Sequence, residues 1–453
     1  MSFSSRLSLT RAALLTPLAL AIASLASGAQ AQNLQELYTA ARDYDATYLS
    51  ARSAAESAQY RADQAMALRL PNVGLSAGIS RNTTETPGLS GTPPAKVTNK
   101  TTTDGRAVTV SAQQSLYNRA NGLTIDQADK AVVVAQAQLQ AAEQDLIVRL
   151  AQAYFDVLAA SDALGTVQAN KKFIAEQLAS AKRNFEVGTA NITDTREAQA
   201  RYDLVIAQEL AAENDLRVKQ LALEQQVGRN AVKPAPLAVP VVLPPVQPAD
   251  VNEWVSSADA NNPSVLQARL GLDVAKLETE KARAGHLPTL ALTGSYTKGH
   301  LDYNNGLNGP NSSSAIGLTL NVPLFSGFAT QNRIKETLAL ESKSTTDLEG
   351  ARRAVAQGTR SAFFGVQSGL SQVKALEAAE SSSKLALESV QLGYKVGVRV
   401  NLDVLNAQTQ LFQTQRDLAK ARYDVIVGGL KLRQAAGQLK PEDVSTVNQL
   451  LAR

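Results

Sequence analysis

Few side chains in this sequence are of the kinds that catalyse reactions or bind metal ions. Cys is absent, and His286 and His300 are the only histidines, so disulfides, thiolate metal sites and histidine-rich centres are excluded. Each histidine adjoins a glycine-rich stretch, which favours an ordinary loop residue. A phosphate-binding loop of the form G-x-x-x-x-G-K-S/T is also missing. The acidic residues stand mostly at spacings typical of solvated helix faces, so neither catalysis nor a bound cofactor is expected.

The most distinctive polar groups lie in a phrase that the chain uses twice. Residues 185–195 read FEVGTANITDT, and residues 394–404 read YKVGVRVNLDV. Both have Val-Gly at the third and fourth positions and Asp at the tenth. The Gly stands where a helix can end in the left-handed conformation. Asp194, followed by Glu197 three residues later, resembles the N-cap of a second helix. The phrase therefore predicts a tight turn between two helices.

These two turns belong to a long internal duplication. A shift of 209 residues carries Asp194 onto Asp403, and a shift of 217 carries Pro71 onto Pro288. The difference between the shifts indicates a longer insertion in the first copy, somewhere in residues 71–116. A duplication of this length predicts that both halves build the same structural unit.

Each copy contains two segments in which apolar and polar residues alternate with a period of two. One face is rich in Val, Leu and Ile, and the other in Thr, Ser, Gly and Asn. The segments lie within 71–117 and 288–325, follow helical segments at 33–69 and 250–285, and are separated by polar loops at 82–106 and 299–314. Strands of about ten residues with this alternation are typical of tilted membrane-barrel strands. Half of a soluble sandwich shows the same alternation, so the strands alone leave both interpretations open.

Four such strands cannot close a barrel, because even a small barrel takes about eight. Open sheet edges are not tolerated in lipid. Beyond the N-terminal region, no apolar run approaches the roughly 20 residues of a membrane helix. If the protein enters a membrane, we expect several chains to share one barrel.

Long stretches rich in Ala, Gln, Leu, Glu and Lys follow each strand pair, at 118–230 and 326–440. These residues favour helix, and no Pro interrupts either stretch. Apolar positions alternate in steps of three and four, as in helices that pack side by side. The only breaks are the turns near 186–194 and 395–403. A helix over 120–186 would be roughly 100 Å long, which favours the wall of a tube over a globular domain.

The N-terminal residues have the pattern of a secretory signal peptide. Arg6 and Arg11 precede an apolar run at 12–25, and Ala29-Gln30-Ala31 suits the cleaving peptidase, so residues 1–31 are predicted to be removed. The formal net charge is +4, and the two arginines of the signal supply half of it. Such a balance gives no concentrated basic face for nucleic acid. The sequence thus indicates an exported protein that does not bind nucleic acid.

The sequence resembles the TolC family of outer-membrane efflux ducts over essentially the whole mature chain. The most specific pieces are the two tips, NFEVGTANITDTREAQARYD and GYKVGVRVNLDVLNAQTQLF, with further matches in LPTLALTGSY, NVPLFSGF and QAYFDVL. The resemblance implies a homotrimer in which four strands per chain complete a 12-stranded membrane β-barrel. Long helices continue it as an α-helical barrel in the periplasm. Residues 32–70, 231–287 and 441–453 would form a belt around the tube. The Pro-rich link at 232–248 should run extended, either in this belt or as a plain solvated linker.

The resemblance also implies roles for residues of the two tips. Tyr394 and Arg399 would contact Thr193 and Asp194, within and between protomers, and hold the tube shut. Individually weak contacts of this kind suit a gate that a partner must open.

Two further sets of tip positions match the family. Asp403 matches an acidic ring at the constriction, whereas the second ring position is Asn406, so cation selectivity should be present but reduced. Gly188 and Gly397, with Val187 and Val396 before them, match the grooves where an adaptor docks.

The expected function is therefore a passive exit duct in the Gram-negative outer membrane. It would serve multidrug efflux, type I protein secretion or both, joined through a periplasmic adaptor (membrane fusion protein) to an inner-membrane pump or ABC exporter. The alternative is a coiled-coil surface fibre or adhesin without a transport role. A general porin is disfavoured by the long helices, and an enzyme by the lack of catalytic groups.

Overall fold

The computed structural model describes residues 32–189, 191–303, 306 and 308–452. The predicted signal peptide, residues 1–31, lies outside the described residues. The chain divides into two compact units, and both units draw on both sequence copies. The first unit takes its described residues from 1–49, 141–262 and 355–453, and the second from 50–140 and 263–354.

A four-stranded antiparallel sheet forms one part of the second unit. Its strands are β1 (Asn72–Ser90), β2 (Ala95–Tyr117), β3 (Thr289–Tyr303) and β4 (Gly309–Asn321). The order in the sheet is β1-β2-β3-β4. Each sequence copy supplies one hairpin, and β2 pairs with β3 to join the copies, as where Val110 lies opposite Tyr296.

The sheet has one apolar face that other described parts of the chain leave uncovered. Val73 and Leu75 of β1 alternate with Gly74 and Ser76, as predicted. Ile79 is 86% exposed, and further large apolar side chains on this face are exposed as well: Val73, Leu75, Val108, Val110, Tyr296, Ile316, Leu318 and Leu320. A face of this size left open to solvent would be costly, because apolar area is driven out of water.

The strands are longer than the sequence pattern predicted, and the predicted polar loops at 82–106 and 299–314 are mostly strand. β1 and β2 stay paired from Asn72 opposite Gln113 to Ser90 opposite Ala95. In the first hairpin, the Thr-rich sequence explains the error, since β-branched Thr favours strands although it is polar. β4 begins earlier than predicted, at Gly309, and also ends earlier, at Asn321, because Pro323 lacks the backbone N–H that a strand requires.

The described chain also contains nine α-helices and one short 3-10 helix, Ala67–Arg69. The α-helices are α1 (Leu34–Tyr44), α2 (Ala46–Met66), α3 (Arg119–Glu186), α4 (Ile192–Val227), α5 (Val251–Asn261), α6 (Pro263–Ala284), α7 (Ala329–Lys395), α8 (Asn401–Ala435) and α9 (Pro441–Asn448). The helical segments predicted at 33–69 and 250–285 are each broken into separate helices. None of the described helices combines the length and the apolar character that crossing a membrane requires.

A polar network ties together the helices of the second unit. Glu278 of α6 accepts hydrogen bonds from Gln127 Nε2 of α3 at 2.9 Å and from Arg333 Nη2 of α7 at 2.6 Å. These hydrogen bonds hold the pKa of the Glu278 carboxyl below its usual value despite partial burial. Thr279 adds a hydrogen bond to Glu341 of α7 at 3.0 Å.

The first unit has its densest core along the middle of α3. Leu146, Leu150 and Tyr154 are almost fully buried. The Tyr154 hydroxyl lies 3.0 Å from Ala235 O and 3.2 Å from Gln32 O, so it can donate to either carbonyl. Burial raises the pKa of Tyr154 far above its usual value.

The Pro-rich link contains no helix, as predicted. Its first half is packed rather than solvated, because Val232 and Ala235 are buried and Leu237 forms a bridge with Leu451. In its second half, some side chains are exposed and others are packed. Val239 is almost fully exposed, whereas Val246 packs against the cluster that contains Trp254.

Candidate functional site

The repeated phrase forms the turns of two helical hairpins, α3–α4 and α7–α8, which we call the first and second tips. At the first tip, α3 ends at Glu186, and Gly188 adopts a φ of 76°. Gly188 N donates to Phe185 O at 3.0 Å, and Thr189 N donates to Asn184 O at 2.8 Å. This pair of hydrogen bonds is the Schellman motif, in which a left-handed Gly ends the helix as predicted.

The second tip repeats the motif with one addition. Gly397 has a φ of 79° and donates to Tyr394 O at 3.1 Å. Gly393 O accepts from both Val398 N at 2.9 Å and Arg399 N at 3.2 Å. A Cβ on Gly393 would lie 2.8 Å from Arg399 Cγ, so Gly at this position lets the Arg399 side chain fold back along α7.

The structure corrects the predicted N-cap of the first tip. Asn191, not Asp194, is the N-cap of α4, and its side chain accepts from Thr193 N. Asp194 is the third residue of α4, where its charge favours the positive end of the helix dipole. At the second tip, Val400 takes the cap position and has no side-chain acceptor. Asp403 Oδ2 lies 3.5 Å from Val400 N instead.

The charged groups of the tips are exposed and only weakly paired. Arg399 Nη1 lies 3.7 Å from Asp403 Oδ2, and the Arg399 side chain is 58% exposed. No ion pair among the described residues contains Asp194. Within one chain, no hydrogen bond or ion pair of the described residues joins Thr193 or Asp194 to Tyr394 or Arg399, although these four were grouped from the sequence. Tyr394 packs against the apolar cluster of Leu387, Val404 and Leu411 instead.

A contact that the sequence did not predict joins the two hairpins. Arg201 Nη2 of α4 donates to Asn406 Oδ1 of α8 at 2.8 Å. The two residues are 205 positions apart in the chain, and nothing in either residue type predicts a contact between them. A guanidinium therefore stands beside the position where the resemblance implied a second acidic ring.

Apolar packing holds α8 against the first hairpin. Leu405 is 1% exposed and packs with Ile174 of α3 and Val205 of α4. Phe173 contacts this cluster and also the cluster of Leu387, Val404 and Leu411. The two hairpins thus form one packed bundle close to their tips.

Lys171 of α3 forms an ion pair with Glu209 of α4. A charged residue is therefore accommodated among the apolar positions of α4, because its carboxylate has a partner on α3. The hydrogen bond that Lys171 donates to Glu209 raises the pKa of Lys171 above its usual value.

The ends of the tips expose apolar side chains. Val187 is 72% exposed and Val396 is 66% exposed, and Val398 and Val400 are exposed as well. A Cβ added to Gly188 or Gly397 would have no neighbouring atom within 4 Å. Each tip therefore offers a small valine-lined surface beside an open glycine, which is suited to contact with another protein. In the described ranges, no three His, Asp or Glu side chains are arranged to hold a metal ion.

Comparisons with known proteins agree with this architecture. The family model described as "Outer membrane efflux protein" matches residues 37–229 and 254–438, which correspond to the two copies. The outer membrane protein TolC of Vibrio cholerae is 34% identical over 434 residues, covering 94% of this chain and 96% of that protein. The alkaline protease secretion protein AprF of Pseudomonas aeruginosa is 31% identical over 346 residues, covering 76% of this chain and 72% of AprF.

Solved structures show the same fold. The outer membrane protein VceC of Vibrio cholerae matches with a TM-score of 0.73 at 20% sequence identity, covering 89% of this chain and 96% of VceC. The mixed strand and helix architecture with internal duplication is therefore the fold of outer-membrane channels.

These matches extend through both hairpins and both strand pairs, so they concern the whole architecture rather than one motif. The protein is an outer-membrane channel for efflux or secretion that extends into the periplasm. The chain belongs to the outer membrane efflux protein family.

Proposed function

We propose that three chains share one 12-stranded barrel in the outer membrane and form a duct that is gated at the helix tips. The main support for a shared barrel is the four-stranded sheet itself. β1 and β4 each have a neighbour on one side only among the described strands, and one face of the sheet is apolar and exposed. Unpaired edges are too costly in lipid, so β1 of one chain should pair with β4 of the next.

The absence of Cys makes this pairing testable by disulfide formation. Two strands separate β1 from β4, a distance of about 14 Å at the usual strand spacing. A disulfide requires Cα atoms closer than about 7 Å, so a β1–β4 disulfide must join different chains. Ser76→Cys would be combined in turn with Gly317→Cys, Thr319→Cys and Asn321→Cys, and the protein oxidised in outer membranes.

The expected product is a covalent trimer without larger species. A matched control is Thr109→Cys with Thr297→Cys, whose hydroxyl oxygens lie 2.9 Å apart across β2 and β3, and which should give only monomers. Absence of interchain disulfides in all three pairs, with the control oxidised, would contradict the shared barrel. That outcome would favour the alternative of a surface fibre.

For the gate, we propose that Tyr394 and Arg399 contact Thr193 and Asp194 across neighbouring hairpins of the trimer. Within one chain Asp194 has no ion-pair partner among the described residues. In the same part of the chain, the one ion pair of Arg399 is the long contact with Asp403 at 3.7 Å. Both groups are therefore available to a neighbouring protomer. Exposed pairs of this kind contribute about 0–1 kcal/mol each, so a docking partner can open them.

Conductance in planar bilayers tests the gate. Tyr394→Phe with Arg399→Ser should raise the single-channel conductance, because the links that narrow the tips are lost. Arg416→Ser is the matched control, since Arg416 is an exposed arginine of α8 paired with Asp417 at 3.2 Å. If conductance does not change in the double variant, or rises equally in the control, these residues do not close the duct.

The valine surfaces of the tips are proposed to dock a periplasmic adaptor, which joins the duct to an inner-membrane pump or ABC exporter. The cargo would be small toxic compounds or a secreted polypeptide. Val187→Asp with Val396→Asp should abolish crosslinking to the adaptor in intact cells and leave the trimer intact. Val239→Asp is the control, because Val239 is also an exposed valine but lies in the Pro-rich link. Unchanged crosslinking in the tip variant would contradict this docking site.

A further inference from the structure

The apolar face of the sheet ends at a row of basic side chains. Along each of β1, β2 and β3, the large apolar residues of this face stop at a clear boundary towards the hairpin turns. In all three strands, the next residue on the same face is basic: Arg81 after Ile79, Arg106 before Val108 in chain order, and Lys298 after Tyr296. In β4 the corresponding residue is Ser314, after which Ile316 begins the apolar run.

Of these three basic residues, Arg81 has the closest acidic partner among the described residues. Arg81 is bound by Asp104 through two hydrogen bonds of 2.6 and 2.8 Å, so its charge is compensated. Among the described residues, neither Arg106 nor Lys298 forms an ion pair. Two acids, Asp104 and Asp302, lie on the same face of the sheet, and Asp302 Oδ1 is 3.2 Å from His300 Nε2. The three basic residues outnumber these two acids by one, so a net positive charge remains at this edge of the apolar band.

Arg106 and Lys298 flank a single groove on this face. Arg106 lies opposite His300, and Val108 lies opposite Lys298, so the two basic residues are diagonal neighbours about 7–8 Å apart at their Cα atoms. The groove has a volume of about 630 Å³. Ala77, Ile79 and Val108 form its apolar side, and Arg106, Lys298 and His300 form its polar side. All three polar side chains are exposed.

The position of the groove determines which surface of the membrane it meets. One end of every strand connects to a helix: β1 follows the 3-10 helix, β2 precedes α3, β3 follows α6, and β4 precedes α7. In the proposed arrangement the helices extend into the periplasm, so the hairpin turns would point outward. The basic row then stands at the outer edge of the apolar band, level with the headgroups of the outer leaflet.

We propose that this groove binds the headgroup of a phosphate-bearing lipid of the outer leaflet. Its acyl chains would lie along Ala77, Ile79 and Val108, continuous with the apolar band, and its phosphate would meet Arg106 and Lys298. Arg binds phosphate through two parallel hydrogen bonds, and Lys adds a point charge. Basic groups at a membrane surface attract anionic lipids in this way. The inference rests on the proposed membrane position of the strands.

Native mass spectrometry of the purified detergent-solubilised oligomer tests the proposal. The probes are a bis-phosphorylated glycolipid, the same glycolipid after dephosphorylation, and inorganic phosphate. We expect the phosphorylated lipid to bind at least tenfold more tightly than the dephosphorylated one, and inorganic phosphate to compete only weakly. Arg106→Gln with Lys298→Gln should reduce the affinity for the phosphorylated lipid about tenfold.

Lys96→Gln is the matched control, because Lys96 lies on the same face of β2 but near the hairpin turn, away from the apolar band. Its lipid affinity should not change. Equal binding by the double variant and the wild type, or equal binding of the phosphorylated and dephosphorylated lipids, would overturn the proposal. The β1–β4 disulfides test the barrel independently. If they form while lipid binding is unaffected, only the lipid site is refuted, and if they fail, the membrane position itself is wrong.

Discussion

The clearest quantitative consequence of the tip geometry concerns multivalent cations. Each chain brings one carboxylate, Asp403, to the proposed constriction, and Arg399 lies 3.7 Å from it. One turn further along α8, Asn406 is neutral and accepts from Arg201 at 2.8 Å. The side chains at position 406 and its partner therefore carry a net charge of about +1 per chain. We expect weak block by trivalent cations in the wild type.

Making the Arg201–Asn406 pair more negative should strengthen the block by a trivalent cation. A trivalent cation on the pore axis about 8 Å from a unit charge interacts with it by about 1.5 kcal/mol in water. Screening at 0.1 M salt reduces this to about 0.7 kcal/mol. Three copies give about 2 kcal/mol, or roughly 30-fold in affinity. Asn406→Asp and Arg201→Gln each change the pair by one charge. Each should lower the blocking concentration by this factor. The two side chains are in contact, so their effects are coupled, and the double variant should bind the cation more tightly than either single variant.

The assay is titration of a trivalent cation against single channels in planar bilayers at 0.1 M salt, with the cation added at the tip side. Arg217→Gln is the control, because Arg217 lies 16 residues further along α4, about 24 Å away at the helical rise and beyond two screening lengths. An effect of Asn406→Asp without any effect of Arg201→Gln would show that this contact does not exist in the trimer. Low-micromolar block that survives Asp403→Ala would refute the placement of Asp403 at the constriction.

Three further outcomes follow from the packing and capping of the first unit. Gly188→Ala should speed hydrogen exchange at the first tip about tenfold, because a left-handed Ala costs about 1–2 kcal/mol even where its Cβ meets no atom. Leu405→Ala should destabilise α8 by about 2–5 kcal/mol in denaturant unfolding, since its side chain is buried between the hairpins. Asp45→Asn should lower the free energy of unfolding by about 2 kcal/mol near neutral pH. This is less than for a fully buried ion pair, because Arg149 is one-third exposed and keeps its contact with Asp145. Burial alone would raise the pKa of Asp45, but hydrogen bonds from Arg149 and Tyr48 N hold it below its usual value. The stabilisation is therefore fully present above the ordinary carboxyl pKa and is lost as the pH falls through the lowered one, so the difference from Asp45→Asn should vanish in acid.

The sequence predicted features that depend on local chemistry. Gly188 and Gly397 were assigned to helix ends because only Gly tolerates the left-handed conformation, and both adopt it. The alternation of Val73, Leu75 and Ile79 likewise identified the apolar face of β1. Such features are fixed by the residue and its neighbours in the chain, and so a single sequence contains them.

Features that depend on competition or on distant residues were missed. Asn and Asp are both good N-cap residues, so the sequence alone does not choose between Asn191 and Asp194. The structure starts α4 at Ile192, which makes Asn191 the N-cap. The Thr-rich hairpin ends are polar enough to resemble loops, and pairing along the whole length of β1 and β2 makes them strands. The Arg201–Asn406 contact depends on how two hairpins from different copies pack, which no local pattern indicates.

Burial within the first unit changes along α3 in a way that suits a gate. Tyr154 is fully buried and Leu150 nearly so, whereas Phe185 near the end of the same helix is 44% exposed. From Tyr154 to Glu186 the helix runs about 48 Å. Segments with few buried contacts open at low free-energy cost, while densely packed segments open only with global unfolding. Burial remains high as far as Ala181, which is 1% exposed, so only the last turn of α3 and the turn that follows it are loosely packed. A gate around Tyr154 would require breaking the core there, so the distribution of burial supports placing the proposed gate at the turns of the tips.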